Sequence, residues 1–299
     1  MNFCWKIILA LLIFSSCSKD PKSNNAVVVT RHHLATDIGA EILKNGGNAI
    51  DSAVAVAFAL AVVNPSAGNL GGGGFMLYYD ADDEKTFALD YRERAPQNAT
   101  EKMFLNKEGD VIEGLSLNSY LASGVPGTVK GMFKAHNLFG SIPIENLIAP
   151  AIKIAKDGFT LSNFQATNFN KYKKKFLNGS DSESIFIKEG GFKEGDIFIQ
   201  ADLAKSLELI QSRGQKVFYE GKLADKIVED FSQNGGLISS EDLFNYKVYL
   251  KDPICGIYKE YDVCSMPLPS SGGIAIIQML NIIENFDLKN YSHNSLEYI

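Results

Sequence analysis

Apolar and polar positions fall into blocks that predict a helix-rich α/β chain. From Leu34 to Asn45, Ile38, Ile42 and Leu43 share one helical face, and Gly46-Gly47 supplies the stop. Asn48 is placed to cap a second helix, Ala49 to Val63. Its last eleven residues, Ala53 to Val63, are apolar without a break, so this helix is predicted to be buried on every side at the centre of the core. Pro65 ends it. A loop then leads through Gly71-Gly72-Gly73-Gly74 into two strand-like runs, Phe75 to Tyr79 and Thr86 to Leu89, turning at Ala81-Asp82-Asp83-Glu84. Helices are expected at Pro126 to Asn137, Pro143 to Lys156, Ala201 to Ser212 and Lys222 to Gln233. Ala26 to Thr30 reads as a short β-type run, and Thr160 to Gly191, rich in Lys, Asn and Ser, as a surface excursion. A strand hairpin is expected at 246–266, followed by a helix capped by Ser270 or Ser271 and running to about Asn285. No repeat or linker divides the chain, so one domain is expected over 26–299.

The first residues follow a different rule. One positive charge precedes eight consecutive apolar residues, Ile7 to Phe14, and then Ser15-Ser16-Cys17 and a polar stretch to Asn25. This is the plan of a secretory signal, far short of the ~20 apolar residues that span a bilayer. Two small residues before a cysteine also match a bacterial lipobox, although Phe14 stands where Leu is more usual. Residues 1–16 are thus expected to be a signal peptide, Cys17 the lipidated mature N-terminus, and 17–25 a tether. That places the protein outside the cytoplasm, in the periplasm and anchored to the outer membrane through lipid alone. An ordinary secreted protein cleaved nearby is the alternative.

Export changes the reading of the remaining cysteines. In Cys255-Gly256-Ile257-Tyr258-Lys259-Glu260-Tyr261-Asp262-Val263-Cys264, a hairpin turning at Lys259-Glu260 places Cys255 directly opposite Cys264, close enough to bridge in an oxidising compartment. Lys-Glu is not a favoured two-residue turn, so a shifted register with two free thiols stays open. No Cys-x-x-Cys or neighbouring histidine points to a metal site.

Composition adds exclusions. With 299 residues, 45% apolar, and 29 Lys+Arg against 35 Asp+Glu, the chain is globular and acidic. It lacks the cationic footprint of a nucleic-acid binder. The tetraglycine precedes a strand rather than a helix and has no following Lys-Ser/Thr, so it is not a phosphate loop; it reads as a site of close backbone packing. Adjacent His32 and His33 are expected to face apart on a regular element. Ser270 and Ser271 are explained as a helix cap. Arg92, just past a strand, is suited to bidentate capture of a carboxylate, but local sequence alone favours the simpler reading of a surface ion pair with Glu93 or Asp90.

The motifs in order carry more than any one of them. Asp37-Ile38-Gly39-Ala40 through Asn45-Gly46-Gly47-Asn48-Ala49-Ile50-Asp51-Ser52-Ala53-Val54 resembles the opening of the γ-glutamyltransferase (γ-glutamyltranspeptidase) family. So do Asn64-Pro65, Gly68-Asn69-Leu70-Gly71-Gly72-Gly73-Gly74-Phe75, and Asp90-Tyr91-Arg92-Glu93 ahead of Ala95-Pro96. Ala122-Ser123-Gly124-Val125-Pro126-Gly127-Thr128, Asp157-Gly158-Phe159, Asn234-Gly235-Gly236-Leu237 and Met266-Pro267-Leu268-Pro269-Ser270-Ser271-Gly272-Gly273 follow in family order. Leu268 departs, standing where a third proline is usual.

The resemblance implies an Ntn-hydrolase-like αββα sandwich, of which this chain is the incomplete, large-subunit part. It implies a precursor that cuts itself, and a small subunit whose new N-terminal Thr attacks a γ-glutamyl amide such as glutathione, its α-amine acting as base. Water or an amino acid accepts the acyl group, and neither a metal nor an organic cofactor is needed. Arg92 matches the residue that grips the donor α-carboxylate, with Glu93 orienting it. Leu296-Glu297-Tyr298-Ile299 reads as the start of another helix, so the chain is expected to stop short of the catalytic Thr and to be inactive alone. A related acylase acting on glutaryl-cephalosporins, and a non-catalytic lipoprotein using the scaffold for binding, are the alternatives.

Overall fold

The computed structural model describes residues 26–176 and 183–299; the signal, Cys17 and the tether lie outside them. Helices α1 (His33–Lys44) and α2 (Ala49–Val63) open the fold. Asn48 caps α2 through a capping box: its side chain accepts from the Asp51 N–H, while Asp51 accepts from the Asn48 N–H. Val54, Ala55, Phe58, Ala59, Val62 and Val63 are completely buried, so α2 is the central helix its apolar run predicts. It packs against α1, α4 (Thr128–Phe139) and α5 (Ile144–Asp157), while α8 (Ala201–Arg213) backs α5.

A helix buried this deeply needs partners for its terminal carbonyls. Gln200 Nε2 donates to Val62 O at 2.7 Å, and Gln165 Nε2 to Val63 O at 2.9 Å. At the other end, buried Asp51 accepts from the N–H and hydroxyl of Ser141, tying the α4–α5 connection to the start of α2. Burial pushes the Asp51 carboxyl up, but these hydrogen bonds and that from Asn48 hold it below its ordinary value.

Three strands form the main sheet in the order β1-β2-β5. Antiparallel β1 (Phe75–Asp80) and β2 (Lys85–Asp90) turn through 81–84, as the alternation predicts, and β5 (Tyr249–Lys251) joins the far side of β2 with Asp90 opposite Tyr249. The hairpin β6 (Ile254–Tyr258) and β7 (Tyr261–Ser265) follows, then α12 (Ser271–Ile283). Between these lie the short α3 (Leu115–Asn118), α6 (Asn163–Phe176), α7 (Glu183–Phe186), α9 (Lys216–Tyr219), α10 (Lys222–Gln233) and α11 (Ser240–Asn245), with β3 (Phe159–Thr160) pairing β4 (Ile197–Phe198).

Four expectations need correction. Ala26 to Thr30 forms no strand: Val27 and Val29 are exposed, and without a neighbouring strand β propensity has nothing to pair with. The described parts of the 160–191 stretch, 160–176 and 183–191, are anchored on the core by one face rather than lying free on the surface. Phe169, on α6, meets Phe186, Phe192 and Phe198 with ring centroids 5.1–5.5 Å apart, and Leu161 and Ala166 are buried. Residues 294–299 form hydrogen-bonded turns rather than a helix. Ser270 occupies the N-cap position of α12, but its side chain makes no capping bond.

Candidate functional site

The main sheet ends in a charged knot. Asp90, the last residue of β2, is fully buried, although the strand before it is apolar. Its Oδ2 accepts from both Arg94 Nη2 at 2.9 Å and Lys251 Nζ at 2.8 Å, and its Oδ1 accepts from the Arg92 main-chain N–H at 3.0 Å. Burial drives the Asp90 carboxyl upward. The hydrogen bonds from Lys251 and the Arg92 amide, with the Arg94 charge, outweigh burial and hold it below the usual carboxylate range. Lys251 also donates to Leu268 O, joining the knot to the loop ahead of α12.

Past Asp90 the chain remains strand-like. Tyr91 exchanges two backbone hydrogen bonds with Gly74, extending the β1–β2 ladder, and Arg94 pairs with Val125. Tyr91 is packed inward, and burial, aided by Glu93, pushes its phenol up to about 12.

Glycine chemistry makes this approach possible. A methyl group on Gly73 would stand 2.5 Å from Tyr91 O and 2.7 Å from Glu93 N; one on Gly127 would collide with Tyr91 O and the Tyr246 hydroxyl. The close-packing role expected for the tetraglycine is thus the role Gly73 has, and what it approaches is the segment carrying Arg92.

Arg92 therefore has a fixed main chain and an open side chain. Its N–H is held by Asp90, and its carbonyl accepts from Tyr246 Oη at 2.9 Å. The side chain is 59% exposed, with Nε 3.3 Å from Glu93 Oε2 and the guanidinium 5.8 Å from the centre of the Phe75 ring. Of the two partners that local sequence offered, Glu93 takes Arg92 and Asp90 takes Arg94.

The other candidates are placed apart. Cys255 and Cys264 face each other in the β6–β7 register and are joined as a disulfide, with Cα atoms 4.1 Å apart. Lys259 at the turn accommodates the unfavoured geometry with φ of 54°. His32 and His33 do not diverge as expected. His32 caps α1, outside helical geometry, and the two rings stack at 4.6 Å. Among the described residues no group of three or more His, Cys, Asp or Glu is placed to hold a metal ion.

Sequence reasoning missed the supports of Arg92. Asp90 carried a local signal, an acid closing an apolar strand with Arg94 four residues on. Tyr246 and Lys251 carried none, because the fold brings them from about 150 residues away.

A model of the γ-glutamyltranspeptidase family matches residues 35–299. The glutathione hydrolase proenzyme of Escherichia coli (strain K12) is 48% identical over 278 residues, covering 92% of this chain and 48% of that protein. An acylase ACY 1 proenzyme from Pseudomonas sp. (strain SE83) is 34% identical over 292 residues, covering 95% of this chain and 52% of that protein. The crystal structure of Helicobacter pylori γ-glutamyltranspeptidase superposes with a TM-score of 0.89 at 45% identity, over 91% of this chain and 78% of that one. The chain spans about half the length of the curated relatives it matches. Its mixed helix-and-sheet architecture is thus the Ntn-hydrolase-like fold that the motifs imply. A glycine-cradled Arg92 segment in that fold, with a family match running to its last residue, shows that this chain belongs to the γ-glutamyltranspeptidase family.

Proposed function

We propose that this chain is the donor-recognising part of an enzyme that transfers or hydrolyses γ-glutamyl groups, with Arg92 binding the donor α-carboxylate and Glu93 orienting its guanidinium. The observation that carries the reading is the contrast at Arg92: its main chain is held at both N–H and C=O, while its guanidinium projects into the open. A cation pointed by a rigid support suits recognition of a carboxylate. An exposed ion pair made for stability needs no such support.

The small subunit of the same precursor supplies the rest of the site. Its N-terminal Thr hydroxyl attacks the γ-carbonyl carbon and its α-amine takes the hydroxyl proton. The amide C–N bond breaks as the leaving amine is protonated, leaving an ester, and water or an amino acid then releases the glutamyl group. Glutathione fits as donor, and this chain without its partner is inactive. Domain organisation and location follow the same reading: signal 1–16, lipidated Cys17, tether 17–25, and a catalytic-scaffold domain 26–299 in the periplasm at the outer membrane. Among the described residues no helix is long and apolar enough to cross a membrane.

The test is steady-state kinetics of the complete precursor with anilides that differ only in the acyl group. With the bound donor and the small subunit desolvating the pair, Arg92→Ala is expected to weaken the γ-glutamyl donor by roughly 2–4 kcal/mol in kcat/KM. Unchanged donor kinetics would remove Arg92 from the site. Because an acylase is among the relatives, a glutaryl anilide belongs in the same series. Preference for it over the γ-glutamyl anilide would favour the acylase reading, and no turnover of any acyl group would favour a binding protein.

A further inference from the structure

The Arg92 carbonyl has a partner from a distant part of the chain. Tyr246 stands immediately after α11, is almost wholly buried, and donates its hydroxyl to Arg92 O across 154 residues of sequence. Burial pushes the Tyr246 phenol far up, so its hydroxyl stays protonated and serves as a donor at all ordinary pH.

The hydroxyl lies against Gly127, but the rest of Tyr246 is held by other contacts. The ring is stacked on Tyr219, with centroids 5.9 Å apart and planes 16° apart. Tyr219 is itself fixed, donating to Pro126 O at 3.0 Å and accepting from the Lys130 N–H at 3.1 Å. The Tyr246 main chain is held separately, its carbonyl accepting from Lys130 Nζ at 2.7 Å. Helix α11 ahead of it is closed by the Ser239–Asp242 capping box and is tied to the 95–97 stretch where Gln97 N–H donates to Asp242 at 2.8 Å. Ring and backbone therefore stay in place without the hydroxyl. Among the described residues that oxygen makes one hydrogen bond, and it is to the residue whose side chain points outward.

We infer that Tyr246 is a positioning residue for donor specificity: by holding the Arg92 carbonyl, its hydroxyl fixes the direction in which the guanidinium leaves the main chain. Asp90 holds the Arg92 N–H on the other side, so the peptide units flanking Arg92 have no freedom to rotate. With the Tyr246 bond gone, the carbonyl is free to turn and the guanidinium samples directions away from the donor. The inference rests on the assignment of Arg92 to the donor carboxylate.

Two donors separate this role from a general structural one. A γ-glutamyl anilide carries the α-carboxylate; a 4-aminobutyryl anilide is the same acyl group without it. In the complete enzyme, Tyr246→Phe is expected to lower the ratio of kcat/KM for the first donor over the second by about five- to tenfold, the loss of one net hydrogen bond. The change is expected in KM of the γ-glutamyl donor, with its kcat and both parameters of the carboxylate-free donor unchanged. Installing 4-aminophenylalanine at 246 restores a donor at the same place and is expected to recover the ratio. If Phe at 246 does not fold, 4-fluorophenylalanine, which keeps bulk there without an O–H, carries the same comparison.

Arg92→Ala run alongside tells the two readings apart. If it leaves the ratio intact, the assignment of Arg92 fails and this inference with it. If it abolishes the ratio while Tyr246→Phe leaves the ratio at the wild-type value, Arg92 stands and Tyr246 is not a positioning residue. Equal losses with both donors in Tyr246→Phe, or a loss not recovered by 4-aminophenylalanine, also overturn it.

Discussion

Replacing Asp90 by alanine removes the anion on which Lys251 and Arg94 converge, and the structure allows the cost to be worked out. Lys251 and Arg94 both donate to the same Oδ2. Without it they repel each other in a setting where their side chains are only 30% and 36% exposed. Removing one member of a fully buried ion pair costs about 3–5 kcal/mol. Access of both cations to some solvent lowers that, while loss of the Arg92 N–H acceptor adds about 1 kcal/mol. Asp90→Ala is therefore expected to destabilise the chain by about 2–4 kcal/mol. Lys251→Met leaves the Arg94 pair intact and is expected to cost about 1 kcal/mol. The double mutant should be more stable than the sum of the two by more than about 1 kcal/mol, since once the anion is gone a second cation is a burden.

Urea unfolding followed by far-ultraviolet circular dichroism supplies these values. The dependence on pH supplies an independent check. The Asp90 carboxyl is held below its ordinary value in the folded chain, against about 3.9 unfolded. Its contribution is therefore fully present above the unfolded value and is lost as pH falls through the folded one. The gap between wild type and Asp90→Ala should accordingly be constant above about pH 5 and close below about pH 4. A gap under about 1 kcal/mol at neutral pH, or strict additivity with Lys251→Met, would refute the knot as the support of the Arg92 segment.

Two further outcomes are expected. Cys255 and Cys264 close a loop with a sequence separation of nine, for which chain entropy gives about 2–3 kcal/mol. The Cys255→Ser/Cys264→Ser pair should lose that much in urea, and two titratable thiols in unreduced exported protein would contradict the bridge. Cys17→Ser, expressed with its natural signal, is expected to move the protein from the membrane fraction to the soluble one and to abolish incorporation of labelled fatty acid; labelling that persists would exclude Cys17 as the acceptor.

What the sequence revealed was local, and the residues show why. The apolar run Ala53 to Val63 has no polar face, so its place in the core follows from burial alone, and Asn48 marks where it starts. Of the two registers that the sequence left open for Cys255 and Cys264, the structure takes the one counted outward from a turn at Lys259-Glu260. The failures come where tertiary context decides. Ala26 to Thr30 has strand composition but no partner. The 160–191 stretch hides Phe169 among lysines and asparagines, and its helix is held by aromatic neighbours up to 29 residues away. Arg92 was visible as a residue, but its surroundings were not. Asp90 is adjacent, whereas Tyr246 and Lys251 arrive only once β5 has joined β2.

The same contrast accounts for the glycines around Arg92. Arg92 is rigid at its root and exposed at its tip, and side-chain packing can supply the first only by burying the second. Here the rigidity comes through the main chain instead. Asp90 and Tyr246 take the two polar groups of the Arg92 backbone, and Gly73 and Gly127 let neighbouring chain segments close on Tyr91 and Glu93 without side chains of their own. The glycines thus serve the backbone that carries the Arg92 side chain. The run of glycines marks a place of close approach without marking what approaches it. What approaches is set by the strand register that places Gly74 against Tyr91.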